Sequence, residues 1–197
     1  NNLAETSERI AAATDQTGIG LCLLPVHYEF GGCDGRPLTA GQIRFGNDLN
    51  RYKELYDGAL SALSSLPKDT GFGVAPHSLR AVSAESLQSY NALFPTGPIH
   101  MHLAEQPPEV DEVQKQWGAR PVEWALDNME LDARWCLIHC TQMTAQETVS
   151  LAQSGAVAGL CPITESSLGD GTFDAIRWTN SGGAIAVGSD SNIRIAL

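Results

Sequence analysis

The sequence is poor in positive charge, holds no long apolar run and contains no closely paired cysteines. Twelve Lys and Arg stand against 23 Asp and Glu, a net charge of -11. Neither a nucleic acid nor an anionic membrane surface is drawn to such a chain, so neither is expected as a partner. The longest apolar runs, such as residues 21–26, are far too short to cross a bilayer. No basic segment followed by an apolar stretch opens the sequence, so no signal peptide is expected. The five cysteines (Cys22, Cys33, Cys136, Cys140 and Cys161) form no C-x-x-C pair, and their odd number argues against a disulfide framework. All but Cys33 fall in apolar, strand-like runs, which points to reduced, buried thiols and a cytoplasmic protein. Neither G-x-G-x-x-G nor a P-loop is present to support a nucleotide fold.

What is there is enough apolar residue for a core, 43% hydrophobic with 18% charged. Residues 3–14 read as a helix, and the apolar run 19–27 as one buried strand. Strand-like runs then recur at 71–76, 98–104, 135–140, 156–161 and 184–188, with helical patterns at 83–94, 108–118, 121–128 and 144–154. Ser83 suits a helix N-cap, and Thr144 with Glu147 has capping-box spacing. The Gly-rich stretch 31–47 reads as a long loop following a strand. Alternation of short apolar strands with helices predicts a parallel sheet with right-handed crossovers.

The polar residues decide which parallel fold. His27, His77, His102, His139, Thr164 or Glu165, and Asp190 each lie at or just past the C-terminal end of a strand. A (β/α)8 barrel assembles its chemistry on that rim, whereas a doubly wound sheet concentrates ligands at one switch point. The expected fold is therefore a (β/α)8 barrel. Such a barrel takes about 250 residues and eight strands, so the six strands here are expected to be an excerpt covering about strands three to eight. Residues 1–197 are then one barrel domain, with strands one and two and a C-terminal part outside the sequence.

The densest chemical signal is the run 99–105, Ile-His-Met-His-Leu-Ala-Glu. Side chains alternate along a strand, so His100 and His102 share a face and Glu105 follows at the strand end. Alone, such a pair is as compatible with packed, hydrogen-bonded histidines as with a metal site. His139 and Asp190 end two later strands and converge on the same rim. Imidazoles with a carboxylate suit zinc or iron(II), which bring water to a reactive state near neutral pH, and a nearby carboxyl can carry protons. His27 and Tyr28 could line the pocket, with a structural histidine an equal reading for His27. Glu165 could contact substrate or brace its loop. Cys140 and the four tryptophans read as packing residues.

The runs 75–82 (APHSLRAV), 100–106 (HMHLAEQ), 138–140 (IHC), 160–171 (LCPITESSLGDG) and 188–192 (GSDSN) resemble the amidohydrolase superfamily, in its branch of mononuclear deaminases. The resemblance runs along essentially the whole chain. It implies hydrolytic deamination of a C=N group, and the first and fourth runs point to a narrower family that acts on N-formimino-L-glutamate in histidine degradation. It assigns His102 and Asp190 to a divalent metal, most like zinc, Glu105 to proton transfer, His139 and Asp190 to catalysis, and His77 and Arg80 to the carboxylates of a small acidic substrate. It also implies a homodimer. A surface ion pair is the plainer reading of Arg80. The superfamily's first-strand H-x-H metal pair has no counterpart here, which the excerpt explains; a protein beginning at Asn1 would lack those ligands and should be inactive. Two rivals share the pattern: a deaminase acting on a purine, pyrimidine or triazine ring, and a barrel that binds a ligand without catalysis.

Overall fold

The computed structural model describes residues 2–190. Every paired strand runs parallel to its neighbour. Strands β1 (Cys22–Leu23) and β2 (Val26–His27) pair with β3 (Gly71–Phe72) and β4 (Ala75–Pro76), and β5 (Ile99–Leu103), β6 (Trp135–His139), β7 (Val157–Leu160) and β8 (Ala184–Val187) form one sheet in that order. Isolated bridges from Val74 to Ile99 and from Ser78 to His102 join the two parts. Strand neighbours follow chain order without reversal, which is the wall of a barrel and not a doubly wound sheet.

The two continuous strands expected at 19–27 and 71–76 are each broken in the middle. Pro25 has no N–H to donate. Gly73 passes so near the next strand that a Cβ there would sit 2.1 Å from the Pro98 carbonyl oxygen. The ladder nevertheless carries through both breaks: the N–H groups of Gly73, Ala75 and His77 donate to the carbonyls of Leu23, Pro25 and His27 at 3.0–3.1 Å. β1 with β2, and β3 with β4, therefore act as single barrel strands.

Helices α1 (Glu5–Thr17), α2 (Leu49–Ala62), α3 (Ala84–Leu93), α4 (Pro107–Trp117), α5 (Pro121–Asn128), α6 (Ala145–Gln153), α7 (Pro162–Leu168) and α8 (Ala175–Asn180) intervene. Ser83 caps α3 by accepting from the Ser86 N–H, and the Thr144–Glu147 capping box opens α6, both as expected. The first helix starts and ends later than expected and stops where Gly18 turns left-handed. Helices α2, α7 and α8 are additions to the sequence reading. No helix among the described residues is long and apolar enough to cross a membrane.

Alternation sorts the strand side chains. Ile99, Met101 and Leu103 of β5 are buried against the helical layer with Val113, Val122, Trp135, Leu137 and Leu151, while His100 and His102 face the other way, half-buried. Trp135 and Trp178 are fully buried, and Trp124 packs against Trp117, as the packing reading of the tryptophans requires. Four cysteines are buried, but Cys22 is exposed: it takes the inward-facing position of β1, opposite the buried Leu23.

Candidate active site

Strand β5 delivers His102 and then turns sharply. Its Nδ1 lies 2.9 Å from the His77 carbonyl oxygen, an acceptor only, so Nδ1 carries the proton and Nε2 is left as a free lone pair. The His77 ring stacks on that of His102 at 4.7 Å, and Tyr28 meets His77 edge-on at 4.5 Å. Burial, and behind it the charges of His102 and Arg80, hold the His77 imidazole down to about 3, so this ring is neutral at physiological pH. A small cavity of about 60 Å³ lies here, lined by residues that include Val26, Ala75, His77, His100 and His102.

His139 closes β6 at 1% exposure, its ring 5.7 Å from that of His102. Its Nδ1 lies 3.2 Å from Glu165 Oε1, and its Nε2 lies 3.5 Å from Glu105 Oε1. Glu165 sits in the first turn of α7 and also accepts from the Cys161 N–H at 2.7 Å. Two carboxylates thus bracket one imidazole, one at each nitrogen. Burial, and then the charge of Asp190, push the neighbouring Cys161 thiol up to about 12, so it remains protonated.

The turn that presents Glu105 is held from three sides. The fully buried Glu109, in the first turn of α4, accepts from the Ala104 and Glu105 N–H groups at 3.0 and 2.9 Å. The Thr141 hydroxyl donates to the Glu105 carbonyl at 2.6 Å, and the Gln142 N–H to the Ala104 carbonyl at 2.8 Å. Ala104, His139, Cys140 and Asp190 all have positive φ, between 51° and 75°, although none is glycine. Left-handed backbone at three strand ends is the strained geometry that clusters at functional sites.

The structure brings His77, His102, Glu105 and His139 to one rim. Asp190 stands exposed past the end of β8, near Cys161, on which its charge acts; residues 191–192 of the GSDSN run lie outside the described residues. Arg80 makes no ion pair among the described residues, and its buried Nε has no hydrogen-bond partner there, so the surface ion-pair reading fails. His27 leaves the rim altogether. By alternation it points to the helical side, where it is fully buried, stacks on Tyr52 at 4.6 Å and meets the Tyr90 hydroxyl at 2.7 Å, so it is a core histidine. Sequence reasoning missed Glu109 and the pair in which Gln106 donates to the buried Asp170 at 2.7 Å. The only available signal for Glu109 was an acidic residue at the start of a helix following the site strand.

No family model matches the chain. It is 42% identical to formimidoylglutamate deiminase of Pseudomonas aeruginosa over 195 residues, which is 98% of this chain and 43% of that protein. An amidohydrolase from Brucella melitensis is 48% identical and superposes with a TM-score of 0.95, covering 100% of this chain and 44% of its own. An adenosine deaminase from Xanthomonas campestris, with bound zinc, shares the fold at a TM-score of 0.78 and 21% identity, over 94% of this chain and 40% of its own. The chain therefore spans less than half the length of these relatives. Identity at this level from end to end, on a barrel wall of the same shape, means that the chain belongs to the amidohydrolase superfamily.

Proposed function

We propose that the protein carrying this chain hydrolyses N-formimino-L-glutamate to N-formyl-L-glutamate and ammonia. The observation that carries this reading is Arg80. A guanidinium with a buried, unpartnered Nε, close enough to bias the neighbouring His77, calls for an anion, and a substrate carboxylate matches its fork. The similarity to formimidoylglutamate deiminase supports the same substrate.

His102 and Asp190 would hold one divalent metal, with further ligands from outside the chain. The donor set fits: the carbonyl bond at His102 Nδ1 fixes the ring with Nε2 free, as metal-binding imidazoles require. Zinc accompanies the adenosine deaminase relative, and it is the ion proposed here. When bound, such an ion makes water nucleophilic near neutral pH and stabilises developing negative charge. The chain's own residues then manage protons. His139 donates from Nδ1 to Glu165, which leaves Nε2 to accept a proton from the attacking water. Water adds to the formimino carbon, and the proton taken up at His139 passes through Glu105, beside His139 Nε2, to the imino nitrogen. The remaining hydroxyl proton leaves for Asp190 and is returned to the same nitrogen, so that the carbon–nitrogen bond breaks, the formyl carbonyl forms and ammonia departs. His77 and Arg80 hold the carboxylates.

The test is ammonia release by the full-length, zinc-loaded protein from N-formimino-L-glutamate, with adenosine, guanine and cytosine in parallel. Release from the formimino compound alone is the expected result. Release from a ring substrate instead would overturn the substrate and the role of Arg80 together.

A further inference from the structure

The His139, Cys161 and Glu165 side chains carry chemistry beyond this mechanism. One ligand atom from each lies within 4.8 Å of the other two, and all three residues are buried. A nitrogen, a sulfur and an oxygen in one small volume are a donor set for zinc and its softer neighbours. Bond lengths near 2.0 and 2.3 Å put nitrogen and sulfur about 3.5 Å apart on a tetrahedral ion; His139 Nδ1 and Glu165 Oε1 already stand 3.2 Å apart, so it is the sulfur that has to draw in, by at most about 1 Å. Two of them already share a scaffold, since Glu165 Oε1 accepts from the Cys161 N–H at 2.7 Å. Cys161 takes no part in the proposed deamination, and its sulfur lies on the side facing the end of β8, 3.7 Å from where a Cβ on Gly188 would stand.

We propose that His139, Cys161 and Glu165 form a second metal site, filled only at excess zinc or a softer divalent ion, and that filling it shuts the enzyme off. The link is the imidazole tautomer. With Glu165 as acceptor, His139 carries its proton on Nδ1 and offers the Nε2 lone pair toward Glu105. A metal on Nδ1 takes the lone pair there, so the proton moves to Nε2, which becomes a donor and can no longer accept one from water. The Cys161 thiol gives its proton to solvent as it binds. The cation displaces only the His139–Glu165 hydrogen bond and neutralises the carboxylate. Inhibition by this route rests on the role proposed for His139; occupation of the site does not.

Cobalt(II) reads the two apart, because a thiolate ligand gives a near-ultraviolet charge-transfer band that nitrogen and oxygen ligands do not. The full-length protein, stripped of metal and carrying Cys22→Ser to remove the exposed thiol, is titrated with cobalt while ammonia release is followed. The expected course is activity rising with the first equivalent without a thiolate band, then the band growing and activity falling together. Cys161→Ser should erase the band and raise the cobalt needed for inhibition by about tenfold or more, as loss of one ligand does; Cys161→Ala should repeat this. A band with the first equivalent, no band at any concentration, or inhibition unchanged in both variants would overturn the second site. Should the substrate reading fail, the band titration still reports on the site.

Discussion

At the scale of single residues, the site rests on which nitrogen of each histidine is already engaged. His102 is fixed by a carbonyl and His139 by a carboxylate, so each presents one free nitrogen to the rim. Among the described residues, Glu105 is the one carboxylate within 3.5 Å of the free nitrogen of His139. Glu105→Gln keeps the shape and removes the proton carrier, so turnover should fall by about 10²- to 10⁴-fold with zinc content unchanged. Stopped assays with metal analysis on the same preparation check this, and near-normal turnover would remove Glu105 from its role. The rim positions of His102 and His139 were legible in the sequence, the first by alternation along β5 and the second at the end of its strand-like run. The engaged nitrogens were not, since a tautomer is set by whatever group lies across from the ring. The same limit hid the core position of His27, whose partners Tyr52 and Tyr90 come from α2 and α3.

At the scale of elements, the decisive unit is the junction between β5 and α4. Two N–H groups at its turn would be buried without partners if Glu109 did not accept from both. Glu109→Ala should lower unfolding free energy by about 2–4 kcal/mol, from two orphaned donors and a small void. Glu109→Gln, which keeps one acceptor, should fall in between. Denaturant titration would read both, and a change within about 0.5 kcal/mol for Glu109→Ala would show the clamp to be idle. The helices α3 and α6 could be read because their caps are local signals. Helix α2 was missed although Tyr52, Leu55, Tyr56, Ala59 and Ala62 recur at helical spacing and pack on the core, because Gly58 and the polar residues among them break up the apolar run. The breaks in the first two strands escaped for a different reason, since the crowding at Gly73 comes from Pro98, on the approach to a different strand.

At the scale of the whole molecule, the acid side of the stability curve has an identifiable contributor. Burial opposes ionisation of Glu29, yet the His27 imidazole 3.5 Å away and the hydrogen bond from the Ser83 N–H hold its carboxyl down to about 2, against an ordinary 4.5. A depressed carboxylate pKa stabilises the fold at pH values above the unfolded value and loses that contribution as pH falls from about 4.5 toward 2. The shift corresponds to at most about 3 kcal/mol. Glu29→Gln should therefore flatten the decline of the denaturation midpoint over that window while leaving its slope near neutrality unchanged. An identical decline in the variant would assign the acid sensitivity elsewhere. The barrel itself was the most legible feature, because a repeat of strand, polar end and helix survives errors of a few residues in any one element. His77 came to the expected rim although the strand that carries it proved discontinuous, whereas His27, at the end of the other broken strand, turned to the core.

The left-handed backbone at Ala104, His139, Cys140 and Asp190 has a consequence for anyone who would make this protein hardier. Each such residue costs roughly 1 kcal/mol that glycine would not, so a search for thermostable variants would be drawn to the rim first. Alanine 104 is the inviting case, since exchange to glycine relieves the turn without touching a reacting group. The same exchange frees the peptide that aims Glu105, and a hardier enzyme obtained there would be a slower one. Durability and speed are in this fold competing claims on the same few peptide bonds.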